Sequence, residues 1–365
     1  MAIDPSASSA EARAYRPNFD ALEHESAGVA RVVRPMRPRL SGPLVSILIN
    51  NYNYAAFLGA AIDSALTQTY PKVEVIVVDD GSTDGSRDVI ASYGDRVVGV
   101  FKTNGGQGSA FNAGVATSRG DILCFLDADD FFHSDKVSLI VDEFRHRGLN
   151  SRPMMMHHLL TPIGAEGERL QKSARGVTHA SPLNRYSFAQ QHRFVWYEAG
   201  PTTTISINRA LAKRLFPIPE RYVRISGDDF IVCGASLIGE IYSIDKNLGS
   251  YRIHGNNNWH ESNQKKSPEF IETLETYLNQ KLVENGKSPV IAFDDSIFAW
   301  SRFIDERRWV KLGSHMLKIA LRDRDKYTLL FIGHRVIEIG MLIMAMMRRK
   351  RDGLFRRGLG PHSSP

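Results

Sequence analysis

Cysteine and long apolar runs are both scarce in this sequence, and each scarcity excludes a class of protein. The 365 residues include only two cysteines, Cys124 and Cys233. Two isolated cysteines exclude a disulfide scaffold or a cysteine-ligated zinc site, and they are typical of a reducing compartment. The first forty residues contain no continuous apolar stretch of the length found in secretory signals, so we expect no signal peptide there.

The excess of positive charge is confined to the C-terminal tail, and the rest of the chain is nearly neutral. Residues 311–365 contain 12 Lys and Arg against 4 Asp and Glu, whereas residues 1–310 contain 34 against 36. A nearly neutral body lacks the basic surface that nucleic acid requires, so we do not expect nucleic acid as a partner.

The tail combines an apolar segment with a basic end. Segment 327–351 is interrupted by His334, Arg335 and Glu338, and is therefore too broken for a transmembrane helix of about 20 apolar residues. Six of the ten residues in 348–357 are Lys or Arg. This pattern predicts a peripheral anchor on the anionic inner face of the cell membrane, and hence a cytoplasmic protein. The alternative is a helix packed against a partner or a second protomer of a homo-oligomer.

Strand and helix patterns alternate through the first ordered part of the chain. Apolar runs typical of buried strands occur at residues 43–53, 73–80, 95–103 and 121–127. Helical patterns lie between them, the first at 55–68, which Pro71 ends. Strands and helices in this order predict an α/β fold with an open, mostly parallel sheet flanked by helices.

Polar residues follow three of these strands where each strand ends. They are Asn51, Tyr52 and Asn53; Asp79 and Asp80; and Asp127, Asp129 and Asp130. Ligands of open α/β sheets bind beyond the carboxyl ends of the strands, so we expect one shared site. Acids this close repel unless a cation lies beside them, and oxygen ligands suit Mg²⁺ or Mn²⁺. Because such a cation neutralises a diphosphate, the pattern predicts a nucleotide-diphosphate site. Tyr52 can stack on a base, Asp80 can accept from a base N–H, and the Gly106 amide can face phosphate.

These motifs, in this order, resemble the N-terminal half of a family 2 glycosyltransferase with the GT-A fold. The resemblance is close over residues 45–136, in VSILINNYN, VEVIVVDDGSTDGS, NGGQGSAFNAG and GDILCFLDADD, and looser in SGDDF and YRIHGNN. It implies a metal-dependent, inverting transfer from a nucleotide-diphosphate sugar, here a UDP-sugar, to a glycan or lipid-linked acceptor in cell-surface polysaccharide synthesis.

The resemblance also implies a role for each residue of the site. Asn50, Asn51 and Tyr52 line the nucleobase pocket, and Asp80 accepts a hydrogen bond from the base. Asp127 lies against the ribose and the metal. Asp129 binds the metal, and Asp130 faces away from it. Asp228 of SGDDF aligns with the base that takes the acceptor proton, with Asp229 as the alternative; both acids could instead only cap a helix. His254 is either a third metal ligand or a structural residue.

These assignments divide the chain into three parts. Residues 1–42 are a mobile leader. Residues 43–265 are the GT-A domain, with a nucleotide-binding half at 43–136 and an acceptor half at 137–265, where we expect a strand pair between 240 and 259. Residues 266–365 are a mainly helical extension that ends in the basic amphipathic tail.

Two departures from the family pattern leave the nucleotide open. The chain has Asn50-Asn51-Tyr52-Asn53 where Pro-Thr-Tyr-Asn is common, and Phe111 where many members have Arg. Two other functions are the alternatives to this assignment. A sugar-phosphate nucleotidyltransferase would need a glycine-rich loop with a Lys or Arg after the first strand, and a phosphoacceptor-type signalling domain would be a smaller, single domain.

Overall fold

The computed structural model describes residues 41–149, 151–172, 174, 176, 178, 183–195, 200–255, 266–296, 309–323 and 332. The predicted leader before residue 41 and nearly all of the predicted tail lie outside these residues. In the part of the chain that is described, no helix is long and apolar enough to cross a membrane.

The described residues contain eight strands and nine α-helices. The strands are β1 (Val45–Asn51), β2 (Val73–Asp79), β3 (Val98–Phe101), β4 (Ile122–Asp127), β5 (Phe131–Phe132), β6 (Met154–Ile163), β7 (Ser206–Asn208) and β8 (Glu240–Arg252). The helices are α1 (Ala55–Leu66), α2 (Ser86–Ser92), α3 (Gln107–Thr117), α4 (Lys136–His146), α5 (Tyr186–His192), α6 (Arg209–Leu215), α7 (Asp228–Ile238), α8 (Pro268–Glu284) and α9 (Trp309–Asp323).

The strands form one mixed sheet in the order β3-β2-β1-β4-β7-β6-β8-β5. Strands β1 to β4 are parallel to one another, as the alternation of strand and helix predicted. Beyond β4 the sheet is mixed: β7 is antiparallel to both its neighbours, β6 and β8 are parallel, and β5 is antiparallel to β8. The α/β fold with helices flanking an open sheet is therefore confirmed.

The two faces of the parallel strands are covered by different helices, because successive side chains of a strand point to opposite faces. One face carries Leu48, Ile76, Val78, Leu123 and Phe125, which pack with residues of α3, α7 and α8. The other carries Ile47, Ile49, Val75, Val77 and Leu126, which pack with residues of α1, α2 and α4. Burial on both faces explains the continuous apolar runs and leaves the strand ends as the place for polar residues.

The expected strand pair between 240 and 259 is wrong, because β8 is one strand. It runs parallel to β6, with register shifts at which Ile244 pairs with His158 and Asn247 with Leu159. The polar residues Asp245–Asn247 are exposed at this irregularity. A bulge of this kind bends a strand without reversing it.

Candidate functional site

The ends of β1, β2 and β4 bring their polar residues to one edge of the sheet. In the parallel register Asn50 is paired with Asp127, and Asn51 with Asp79. Asn50 Nδ2 donates to Asp127 Oδ1 at 2.8 Å, and Asn51 Nδ2 donates to Asp79 Oδ1 at 2.9 Å. The strand ends therefore converge as the sequence predicted.

The residues after β1 differ in what they can offer a ligand. Asn51 is buried and its amide donates to Asp79 and Ser82, so it shapes the turn. Tyr52 is 46% exposed, which leaves its ring accessible for stacking. The Oδ1 atom of Asn50 is buried beside Asp127 with no hydrogen-bond partner among the described residues. An orphaned buried acceptor of this kind is typical of a place where a ligand or water donates.

Asp80 lies opposite the glycine-rich turn between β3 and α3. Its carboxylate accepts from the N–H groups of Gly105 and Gly106, at 3.0 and 2.7 Å, and from Lys102 Nζ at 2.6 Å. The sequence predicted that the Gly106 amide faces a phosphate, whereas here it donates to Asp80. A phosphate contact through this amide, and a base contact through Asp80, stay predictions.

The loop before α7, which belongs to the second half of the chain, packs against the same glycine-rich turn. The carbonyl groups of Val223 and Arg224 accept from the backbone N–H groups of Gly108 and Gln107, at 3.3 and 3.0 Å. Glycine is required beside them, because a Cβ atom on Gly106 would lie 2.5 Å from Arg224 Cα. The backbones of the two halves are therefore in direct contact next to the site.

The acids after β4 are crowded. Burial, and then the charges of Asp129 and Asp228, raise the pKa of Asp127 to about 7. His254 lies against the same turn, with its Nε2 3.1 Å from Asp129 Oδ2. The structure thus brings together the three residues that the sequence proposed as metal ligands. The charge of Asp129 acts on Asp127, and Asp129 lies within hydrogen-bond distance of His254.

The donor atoms at this turn suit a hard divalent cation. No group of three His, Cys, Asp or Glu side chains placed to hold a metal occurs among the described residues. Mg²⁺ commonly takes only one or two carboxylates from a protein, however, and completes its shell with waters and substrate phosphates. A cation beside Asp127 and Asp129 would also relieve the repulsion that raises the Asp127 pKa. The residues present therefore fit Mg²⁺ or Mn²⁺, and the ligand roles of Asp127, Asp129 and His254 stay predictions.

Asp130 makes its hydrogen bonds with residues other than Asp127, Asp129 and His254. Its Oδ2 accepts from Thr203 Oγ1 at 2.5 Å, and its Oδ1 accepts from the backbone N–H of Arg252 at 2.9 Å. Arg252 Nε also donates to the carbonyl group of Asp129, at 2.9 Å. The hydrogen bonds of Asp130 therefore connect the turn after β4 to the end of β8 and to the 3₁₀ turn Thr202–Thr204.

The two acids in the first turn of α7 have different surroundings. Asp228 Oδ2 accepts from Thr202 Oγ1 at 3.3 Å, and the charge of Asp228 raises the pKa of Asp127, so Asp228 lies near the acids after β4. Asp229 forms an ion pair with Lys266 instead. Burial raises the pKa of Asp228, and the charge of Lys266 opposes that shift. These contacts favour Asp228 over Asp229 as the base.

Sequence reasoning missed the residues that position these acids. Gln107 Nε2 donates to Thr202 Oγ1 at 3.3 Å, and Gln107 Oε1 accepts from the backbone N–H of Gly227 at 2.8 Å. Thr202 and Thr203 are buried although they are polar. Three consecutive threonines before the buried strand β7 were the available signal for hydroxyl groups at this place. Gln107 and Lys266 are ordinary polar residues in the sequence and carry no such signal.

Comparison with known proteins identifies the family. Residues 46–150 match the protein family described as Glycosyl transferase family 2. The chain is also 36% identical over 252 residues to an uncharacterized glycosyltransferase of Nostoc sp. (strain PCC 7120 / SAG 25.82 / UTEX 2576), which covers 66% of this chain and 76% of that relative. The chain belongs to glycosyl transferase family 2 and is a transferase. Family membership excludes the nucleotidyltransferase and the phosphoacceptor domain.

Other relatives are similar mainly in the first half. An uncharacterized glycosyltransferase of Rickettsia prowazekii (strain Madrid E) is 44% identical over 102 residues, which span 28% of this chain and about a third (32%) of that relative. Chondroitin synthase of Pasteurella multocida (strain Pm70) is 45% identical over 105 residues, covering 28% of this chain and 11% of that protein.

A solved structure shares the fold. TarS 1-349 of S. aureus in complex with UDP-GlcNAc is similar with a TM-score of 0.51 and 17% sequence identity, over 76% of this chain and 81% of that chain. This likeness, together with the sheet described above, shows a GT-A-like α/β fold.

Proposed function

We propose that the protein is a metal-dependent, inverting glycosyltransferase that moves a sugar from a UDP-sugar to a glycan or lipid-linked acceptor. The observation that carries the proposal is the placement of Asp228 at the start of α7, near Asp127 and hydrogen-bonded to Thr202, while Asp229 forms an ion pair with Lys266. A single base opposite the donor site is what one displacement at an anomeric carbon requires.

Residues at the strand ends bind and orient the donor in this proposal. The exposed ring of Tyr52 stacks on the base, whose N–H donates to Asp80. The unpaired Oδ1 of Asn50, next to Asp127, accepts from a ribose hydroxyl. Mg²⁺ or Mn²⁺, when held by Asp127 and Asp129, supplies positive charge that stabilises the leaving diphosphate.

Asp228 takes the proton of the acceptor hydroxyl. Burial raises its pKa, and a base whose pKa lies closer to the working pH is better matched to proton transfer. Thr202 donates to the Asp228 carboxylate, and Gln107 links Thr202 to the backbone just before α7. The base is therefore held by groups from both halves of the domain.

The donor and acceptor classes are supported by relatives. TarS, which has a similar fold, has been crystallised with UDP-GlcNAc. A relative of the first half is named chondroitin synthase, which is consistent with a glycan acceptor and polysaccharide synthesis. The apolar and basic composition of residues 327–357 supports a peripheral position on the anionic inner face of the cell membrane, and packing against a second protomer is the alternative.

Release of nucleoside diphosphate from a panel of nucleotide sugars, with Mg²⁺, Mn²⁺ or EDTA, tests this proposal. We expect turnover with a UDP-sugar that EDTA abolishes. Asp129→Asn should lose about 10²-fold or more in rate, as well as the metal dependence of nucleotide binding measured by calorimetry. Asp142→Asn, on the exposed face of α4, is the matched control and should behave as wild type. Metal-dependent activity that survives in Asp129→Asn would contradict the assignment.

A further inference from the structure

The aromatic ring of Phe57 lies against two residues at the end of β8 and just after it. The centroid of the Phe57 ring is 4.7 Å from that of the His254 ring, and the two ring planes are inclined by 32°. The guanidinium carbon of Arg252 lies 5.0 Å from the same centroid. Ring contacts at about 4.5–7 Å and cations within about 6 Å of a ring centre are attractive. Phe57 therefore stabilises the present positions of both side chains.

Both of these neighbours also contact Asp129. His254 Nε2 lies 3.1 Å from Asp129 Oδ2, and Arg252 Nε donates to the Asp129 carbonyl at 2.9 Å. One neighbour of Phe57 therefore contacts the side chain of Asp129, and the other contacts its main chain. A change in the Phe57 ring would reach Asp129 through these two contacts.

The position of the ring is set by the start of α1. Phe57 lies in the first turn of this helix, where its N–H donates to the Tyr54 carbonyl at 3.0 Å. Asp84 holds the same turn, because its Oδ2 accepts from the Ala55 N–H at 2.9 Å. Burial, and then the charge of Asp129, raise the pKa of Tyr54, so this end of α1 lies beside the acids after β4.

We propose that Phe57 is a positioning residue, which holds His254 in the orientation that Asp129 requires to bind the divalent cation. This role rests on the metal site of the proposed function. Residues next to metal ligands orient them, and loss of such a residue weakens metal binding by about 10- to 100-fold. Leucine at position 57 would fill part of the same space but would offer no ring face to the imidazole.

Mn²⁺ binding to the full chain with saturating UDP, followed by EPR, tests this role. Free Mn²⁺ gives a sharp signal that broadens on binding, so the dissociation constant and the number of sites are obtained separately. We expect the dissociation constant for Mn²⁺ to rise about tenfold in Phe57→Leu. Phe57→Tyr keeps the ring and should restore the constant to within about twofold of the wild-type value.

Two further measurements separate this role from ordinary packing. UDP binding in EDTA should be equal in wild type and Phe57→Leu, because it depends on the strand ends and not on the cation. Tyr93→Leu removes another ring that packs on α1, whose hydroxyl donates to the Gly59 carbonyl at 3.0 Å. This matched control should keep the wild-type affinity for Mn²⁺.

A combined variant tests whether Phe57 acts through His254. In a His254→Gln background, Phe57→Leu should weaken Mn²⁺ binding by less than about threefold, because residues in contact have non-additive effects. If Phe57→Leu does not fold, Phe57→Met, which fills more of the space without a ring, takes its place.

Three results would overturn the inference. They are an unchanged Mn²⁺ affinity in Phe57→Leu, the same loss in Tyr93→Leu or in UDP binding with EDTA, and an undiminished effect in the His254→Gln background. Each leaves the proposed function standing, because the wild-type protein still binds Mn²⁺ with UDP. If the wild-type protein binds no Mn²⁺, the metal dependence in the proposed function is wrong and this inference fails with it.

Discussion

Replacing Asp228 with Asn should stop turnover and leave donor binding intact. Asn keeps the size of the side chain and can still accept from Thr202 Oγ1, so the first turn of α7 should be preserved. What is lost is the oxygen that takes a proton. A general base contributes about 10²- to 10⁴-fold in rate, or about 3–5 kcal/mol of barrier. Because the base acts only in the transition state, kcat should fall by that factor while the dissociation constant for the donor stays within about twofold.

Asp229→Asn is the matched control, one residue away. Its partner Lys266 and its own side chain are each 30% exposed, and an ion pair of this kind contributes about 0–1 kcal/mol to stability. The variant should therefore fold and retain activity. Lys266 already lowers the pKa of Asp228, and once released from Asp229 it should lower that pKa further. The acidic limb of the pH–rate profile should then move to lower pH.

Single-turnover rates and donor affinities of the two variants, measured side by side from pH 5 to 9, decide the assignment. An inactive Asp229→Asn beside an active Asp228→Asn would place the base one residue later. Full activity in both would show that neither acid takes the proton, and that the pair only stabilises the start of α7.

Three further predictions follow from other contacts. Lys266→Met removes the cation that lowers the Asp228 pKa, so the acidic limb of the pH–rate profile should move to higher pH. Burial lowers the pKa of Lys136 from 10.5 to about 7, so between these values the unfolded chain binds more protons than the folded one. The free energy of unfolding should therefore rise with pH across that window. Lys136→Met should be more stable than wild type at pH 7, and its free energy of unfolding in urea should not rise between pH 7 and pH 9. A rise that is retained in the variant would contradict this. Deletion of 327–365 should move the protein from the membrane fraction to the soluble one with donor hydrolysis intact, whereas an unfolded product would show that the tail packs on protein.

Local patterns in the sequence were sufficient for the part of the fold that builds the nucleotide side. The predicted first strand at 43–53 is observed at Val45–Asn51, and the predicted helix at 55–68 is observed at Ala55–Leu66. Apolar periodicity is a local property, and parallel strands place their carboxyl ends together. The convergence of Asn50 with Asp127 could therefore be predicted without knowledge of the second half.

Contacts between distant segments could not be predicted in the same way. The difference between Asp228 and Asp229 depends on Lys266 and Thr202, which reach these acids only after folding. The direction of the Gly106 amide depends on Asp80, 26 residues earlier in the chain. At residues 240–252 a strand pair was expected, whereas the structure has one strand that pairs with β6 on both sides of its register shifts.

Part of the contact between the two halves is made by main-chain atoms, and this affects how members of the family can diverge. The carbonyl groups of Val223 and Arg224 accept from the N–H groups of Gly108 and Gln107, so this part of the joint depends little on which side chains stand there. What it requires is the absence of a side chain at residue 106. Side chains at residues 223 and 224 can therefore change while the glycine-containing turn keeps its main-chain hydrogen bonds to the second half.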